Sequence, residues 1–126
     1  MSTILLVDND PLQASFCKSI LERRFDDVQR VGDAGEALCL VEQPNFADNL
    51  GLVISGQNMS GIGSPGFVAE LHERLPEVPV LVLGGDSEVP AHYAGAWVRF
   101  LSWPFAGEEI LAAAGELLAL HALKPA

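Results

Sequence analysis

Acidic side chains gather where an aliphatic run stops. Asp8, Asn9 and Asp10 follow Ile4-Leu5-Leu6-Val7 and precede Pro11. A further acid, Asp86, follows Gly84-Gly85 behind a second aliphatic run. Carboxylates in such turns can hold a cation, and Mg²⁺ needs near-octahedral oxygen ligands, usually several carboxylates or phosphates. Other chemistry is harder to find. His72, His92 and His121 are scattered, with no carboxylate or thiol at a ligand spacing, and read as surface or half-buried side chains. Cys17 and Cys39 make neither a metal motif nor a disulfide framework and read as reduced thiols. No GxGxxG or Walker loop occurs, and no base–nucleophile pair stands out, so the chain does not read as an enzyme.

The whole chain is acidic. Seven Lys and Arg stand against 17 Asp and Glu, a net charge of −10. That balance argues against nucleic acid and anionic membranes as direct partners, since both need basic patches. Hydrophobic residues make up 49% and charged residues 19%, the balance of a globular chain. At 126 residues it is long enough to bury a core without staples. The run Ile4–Val7 is too short to span a bilayer, and no signal h-region follows a basic start. The expectation is a cytoplasmic protein, with residues 1–126 forming a single domain.

The elements that must position these residues alternate along the chain. Thr3–Val7 is a continuous apolar run, as in a buried parallel strand. Pro11 after Asp10 marks a helix start, and Leu12, Phe16, Ile20 and Leu21 then recur at helical spacing. Further strands are expected at Val28–Val31, Leu52–Ser55, Val78–Leu83 and Val98–Leu101. Helices are expected over Ala34–Val41, stopped by Pro44, over Pro65–Leu75, ended by Pro76, and over Gly107–Leu123. Ser87–Ala94 is a poor helix because Pro90 lies inside it. Five strands alternating with helical segments predict a parallel sheet covered on both faces. Ligands of such sheets bind beyond the carboxyl ends of the strands. The residues to read for chemistry are therefore Asp8 to Asp10, Gly56 to Asn58, Gly84 to Asp86, and Ser102 and Trp103.

At those positions the chain resembles the receiver domains of two-component response regulators, from Thr3 to about Leu120. The resemblance rests on four segments in order: Ile4-Leu5-Leu6-Val7-Asp8-Asn9-Asp10-Pro11, Leu52-Val53-Ile54-Ser55-Gly56 through Met59-Ser60-Gly61, Pro79-Val80-Leu81-Val82-Leu83, and Phe100-Leu101-Ser102-Trp103-Pro104-Phe105. It implies a flavodoxin-like (βα)5 doubly wound parallel sheet of order 2-1-3-4-5, with the first and last helices on one face. It also implies a cis Trp103–Pro104 bond. A receiver takes a phosphoryl group onto an Asp after its third strand. An acid pair holds Mg²⁺, a Lys neutralises the phosphoryl oxygens, and a Thr or Ser hydroxyl bonds one of them, which is catalysis by positioning and charge.

Carried over residue by residue, that set is degenerate here. The acceptor position holds Gly56, the hydroxyl position Gly84, the Lys position Trp103, and the acid pair is Asp8 with Asn9. Asp8, Asp10 and Asp86 remain as a candidate weak cation site, against the simpler account of a solvated acidic edge. No metal or other cofactor is expected. Ser55, next to the acceptor position, points to the opposite face by strand alternation and is no substitute nucleophile. Phe100 occupies the switch-aromatic position, but Gly84 has no hydroxyl to couple to it. Trp103 is expected to fold over the emptied pocket as core, since close packing penalises voids.

The resulting expectation is a pseudo-receiver that acts as a phosphorylation-independent protein–protein interaction module in bacterial phosphorelay signalling. Its partner would be a kinase, an output domain or a second copy in a homodimer, met through the 87–123 face. Two alternatives stand beside it: a conventional phosphoacceptor regulator, and an α/β domain that binds a small ligand in the glycine-lined strand-end pocket.

Overall fold

A computed structural model describes residues 3–56, 63–84, 98–102 and 106–122. Ten elements run in the order β1 (Thr3–Val7), α1 (Pro11–Leu21), β2 (Val28–Val31), α2 (Ala34–Val41), α3 (Pro44–Asn49), β3 (Leu50–Gly56), α4 (Gly63–Arg74), β4 (Val80–Gly84), β5 (Val98–Ser102) and α5 (Gly107–Ala122). The strands form one sheet in the order β2-β1-β3-β4-β5. Every neighbouring pair is parallel. This is the flavodoxin-like order that the resemblance implies.

The apolar pattern explains the layering. β1 and β3 are buried along their whole length, because a parallel sheet is covered on both faces. Alternate residues feed two cores. Ile4, Leu6, Leu52, Ile54, Leu81 and Leu83 pack with α1 and α5 on one face. Leu5, Val7, Val53, Val80 and Val82 pack with α2 and α4 on the other. The first and last helices thus share a face, as expected. At the sheet edge, β2 buries only Val28 and Val31 and exposes Gln29 and Arg30. Arg99 of β5 pairs with Glu116 of α5 at the other edge. Among the described residues no helix is long and apolar enough to cross a membrane.

Two elements depart from the sequence reading. The buried positions of α1 are Ala14, Cys17, Ile20 and Leu21. Leu12 is 83% exposed and Phe16 47%. Leu12 lies two residues, or about 200°, round the helix from Ala14, so a face that buries Ala14 and Cys17 turns Leu12 outward. The helical spacing of Leu12, Phe16, Ile20 and Leu21 marks the helix, but of these only Ile20 and Leu21 join the small residues in contact with the sheet. The second departure is α3. Pro44 does stop α2, but it also occupies the first turn of a new helix after Gln43, the position where its fixed φ and missing N–H are harmless. β3 consequently begins at Leu50, two residues before the expected Leu52. Ser87–Ala94 with Pro90 and His92, and the Trp103–Pro104 bond, lie outside the described residues.

The start of α1 is built by Asp10. Its carboxylate accepts from the backbone N–H of Leu12 at 3.0 Å and of Gln13 at 3.4 Å, and Pro11 follows it. An N-cap of this kind contributes about 0.5–2 kcal/mol relative to Ala, and Asn caps about as well as Asp. Asp10→Ala should therefore unfold at lower urea than Asp10→Asn by about 1 kcal/mol. Both variants remove the charge, so equal urea midpoints would show that the cap contributes nothing.

Candidate functional site

The strand ends place Asp8 first. Its backbone N–H donates to Val31 O at 3.2 Å, extending the pairing of β1 with β2. Its carbonyl accepts from Arg30 Nη2 at 2.8 Å. The side chain is 3% exposed. Oδ1 accepts the backbone N–H of Asp10 at 2.9 Å, and Oδ2 is buried with no hydrogen-bond partner among the described residues. Burial is the largest influence on the Asp8 carboxyl and lifts its pKa above the ordinary value. The Asp10 N–H pulls the other way, the Asp10 charge adds to the rise, and Arg30 opposes it.

Gly56 completes this corner. Val7 lies opposite Ser55 in the register of β1 with β3, which carries Gly56 to the side of Asp8. A Cβ at position 56 would sit 3.2 Å from Asp8 Cγ, 3.3 Å from Oδ2 and 3.4 Å from Oδ1. A side chain there would point straight at the carboxylate, so the glycine is what lets Asp8 close against the end of β3. Asp8 also acts on Cys17 below it on α1. Burial, with the Asp8 charge second, pushes that thiol up to about 11, so Cys17 is a buried apolar filler and not a nucleophile.

The other expected site residues divide. Gly84 ends β4 opposite Ser102 of β5, and Phe100 pairs with Val82 in the same ladder. Asn9 follows Asp8 at the exposed turn. Ser55 is fully buried, and its hydroxyl donates to Gly56 O at 3.1 Å. It continues the α2/α4 side, after Val53, and not the side that Gly56 shows to Asp8. Trp103 and Asp86 lie outside the described residues. Of the candidate cation site, Asp8 and Asp10 are adjacent, but the two carboxylates do different work. Asp10 Oδ1 caps α1 while Asp8 is sealed beside Gly56. Among the described residues no three His, Cys, Asp or Glu side chains group around a metal-sized space. One buried carboxylate beside a glycine and a capping acid is a poor donor set for octahedral Mg²⁺. Away from this corner, His72 is half-buried with Nε2 at 3.0 Å from Val78 O.

Sequence reasoning missed Arg30. It is an exposed residue of an edge strand, and the readable signal was a long cation on a strand with apolar ends, one strand away from Asp8.

The lone buried carboxylate has a consequence for stability. Because its folded pKa is raised, the folded state holds the Asp8 proton more tightly than the unfolded state does. Stability then falls as pH rises from the ordinary carboxylate value through the raised one, and the loss is complete above both. Asp8→Asn keeps the acceptor for Asp10 N–H and removes the charge. It should have the higher urea midpoint at pH 7, with the gap to wild type narrowing in acid. A gap independent of pH would mean that the ionised carboxylate is not what destabilises the fold.

No protein-family model matches the sequence. The C4-dicarboxylate transport transcriptional regulatory protein DctD of Pseudomonas aeruginosa is 29% identical over 112 residues, covering 86% of this chain. This chain spans only 23% of that protein's length. Among solved structures, a receiver domain from Clostridium thermocellum superposes with a TM-score of 0.85 at 19% identity, over 98% of each chain. The signal receiver domain of an HD domain-containing protein from Pseudomonas fluorescens Pf-5 gives 0.82 at 24% identity, again over 98% of each. The strand order, the helices on its two faces and these similarities show that the chain has the fold of response regulator receiver domains.

Proposed function

We propose that residues 1–126 form one pseudo-receiver module of bacterial two-component or phosphorelay signalling that works without being phosphorylated. It is a cytoplasmic protein–protein interaction module and not an enzyme. The observation that carries this reading is Gly56. It stands at the end of β3, against the Asp8 carboxylate, where the resemblance places the phosphoacceptor, and it has no side chain to accept a phosphoryl group. Gly84 at the end of β4 likewise offers no hydroxyl. With Asn9 and Trp103 at the second-acid and Lys positions, the charge neutralisation that phosphoryl transfer requires is missing. The proposed partner is a kinase, an output domain or a second copy, met through the 87–123 face. The net charge of −10 argues against nucleic acid as its direct ligand.

Restoring the acceptor alone should not restore phosphorylation. In Gly56→Asp the new Cβ would come within 3.2 Å of Asp8 Cγ, and a second carboxylate would meet one that is already buried. Like charges in one site raise each other's pKa, and crowding of this kind typically costs about 1–3 kcal/mol. The variant should be less stable than wild type and take almost no label from acetyl phosphate with Mg²⁺. Adding Asn9→Asp, Gly84→Thr and Trp103→Lys should recover labelling non-additively, because such residues act as a unit. Intact mass reports both. Labelling of the wild-type chain, or rapid labelling of Gly56→Asp alone, would overturn the proposed function.

A further inference from the structure

We propose that a cavity at the amino ends of the central strands binds a small organic cation, an ammonium group carried on a compact apolar body. The cavity holds about 220 Å³ and is enclosed by α3, the start of β3, the end of α4 and the turn that leads to β4. Leu50 begins β3 and Gly56 ends it, so the cavity lies a strand's length, roughly 20 Å, from the Asp8 corner. Ligands of open parallel sheets ordinarily bind at the other end. One wall here is α3, the short helix that Pro44 starts. The floor is apolar, since Leu50 and Val78 are buried and Leu75 is half-buried. The turn beneath it is fixed before any ligand arrives. Val78 N–H donates to Leu75 O at 3.3 Å, and His72 Nε2 lies 3.0 Å from Val78 O.

The charges around the mouth select the ligand. Arg74 is the basic side chain of the lining, and it is already engaged. Its Nε donates to Glu42 Oε2 at 3.0 Å and its Nη1 to Glu70 Oε1 at 3.1 Å. Two carboxylates thus offset one guanidinium, and Asp48 and Glu77 add further negative charge to the lining. An anion would have to compete with Glu42 and Glu70 for Arg74 while facing Asp48 and Glu77. A cation meets carboxylates with charge to spare and is steered in. Size narrows the class further. At 220 Å³ the cavity is smaller than the roughly 300–1,000 Å³ of sites for drug-sized ligands. It has room for a short aliphatic or aromatic amine and none for a nucleotide. The inference does not depend on whether the chain is phosphorylated.

The test compares three probes of one shape: isoamylamine, the neutral isoamyl alcohol and the anionic 4-methylpentanoate. Each is titrated into the full chain and followed by amide chemical shifts. The amine should give saturable shifts centred on Ala47, Asp48, Glu77 and Val78, and it should bind more tightly than the alcohol and the alcohol more tightly than the carboxylate. Ala47→Leu puts bulk into the cavity and should weaken the amine about tenfold, read directly from the dissociation constant. Asp48→Asn keeps the shape and removes one charge. It should weaken the amine about threefold, the size of an exposed ion pair, and leave the alcohol unchanged. Amide spectra that match wild type away from the cavity report that both variants are folded. Shifts centred on Asp8 and Gly56, full affinity in Ala47→Leu, equal or tighter binding of the carboxylate, or no saturable shift with the amine would each overturn the proposal. Equal binding of amine and alcohol would overturn the cationic class, since the cavity would then select on shape alone.

Discussion

A parallel sheet must be covered on both faces, and that requirement organises this molecule. β1 and β3 give up alternation and are apolar on both sides. Their side chains divide between a core under α1 and α5 and a core under α2 and α4. With both faces closed, the central strands meet polar surroundings only at their ends. Asp8 is the first residue past β1, and Gly56 is the last of β3. Among the described residues the same packing that holds the sheet together leaves the polar groups of the central strands at that rim.

At the rim, a buried charge and a missing side chain belong together. Asp8 has one oxygen bonded to Asp10 N–H and the other without a partner among the described residues. A buried carboxylate in that condition is unfavourable, and the raised pKa is the same fact seen through protonation. A side chain at 56 would crowd it further. Arg30 does not bond the carboxylate. It bonds the Asp8 carbonyl at 2.8 Å and lowers the carboxyl pKa only through its charge. Among the described residues the corner therefore holds a buried acid, a capping acid and a cation bonded to the backbone, tied together by backbone hydrogen bonds.

Most of the fold was legible because it rests on short-range signals. The run Thr3–Val7 and the sequence Asp10-Pro11 state a buried strand and a capped helix in residue types alone, and both are where they should be. Strand order came from the resemblance, since periodicity does not report which strands are neighbours. The misreadings have physical sources. Leu12 and Phe16 mark a helix by their spacing, whereas the buried face of α1 is decided by the angle at which Ala14 and Cys17 meet the sheet. Pro44 was read as a stop, although proline at a first turn is equally a start. At the site, a glycine where the resemblance expects an acceptor could be read from Gly56 directly. The sealing of Asp8 could not, because it depends on a cross-strand register between β1 and β3 that no local pattern carries.

The strand-end corner and the exposed face of α1 are parts of one hydrogen-bonded unit. Asp10 is the residue they share. Its N–H is bonded to Asp8 Oδ1, and its carboxylate is bonded to the N–H groups of Leu12 and Gln13. In a phosphorylatable receiver a covalent group supplies the energy that shifts a population. On the proposed reading, with Gly56 at the acceptor position, only binding energy is available for that purpose, and a partner shifts a population only as far as its affinity differs between states. The buried carboxylate whose second oxygen has no partner among the described residues thus lies one hydrogen bond from the residue that caps α1, so the polar rim and the start of the helix are joined by geometry.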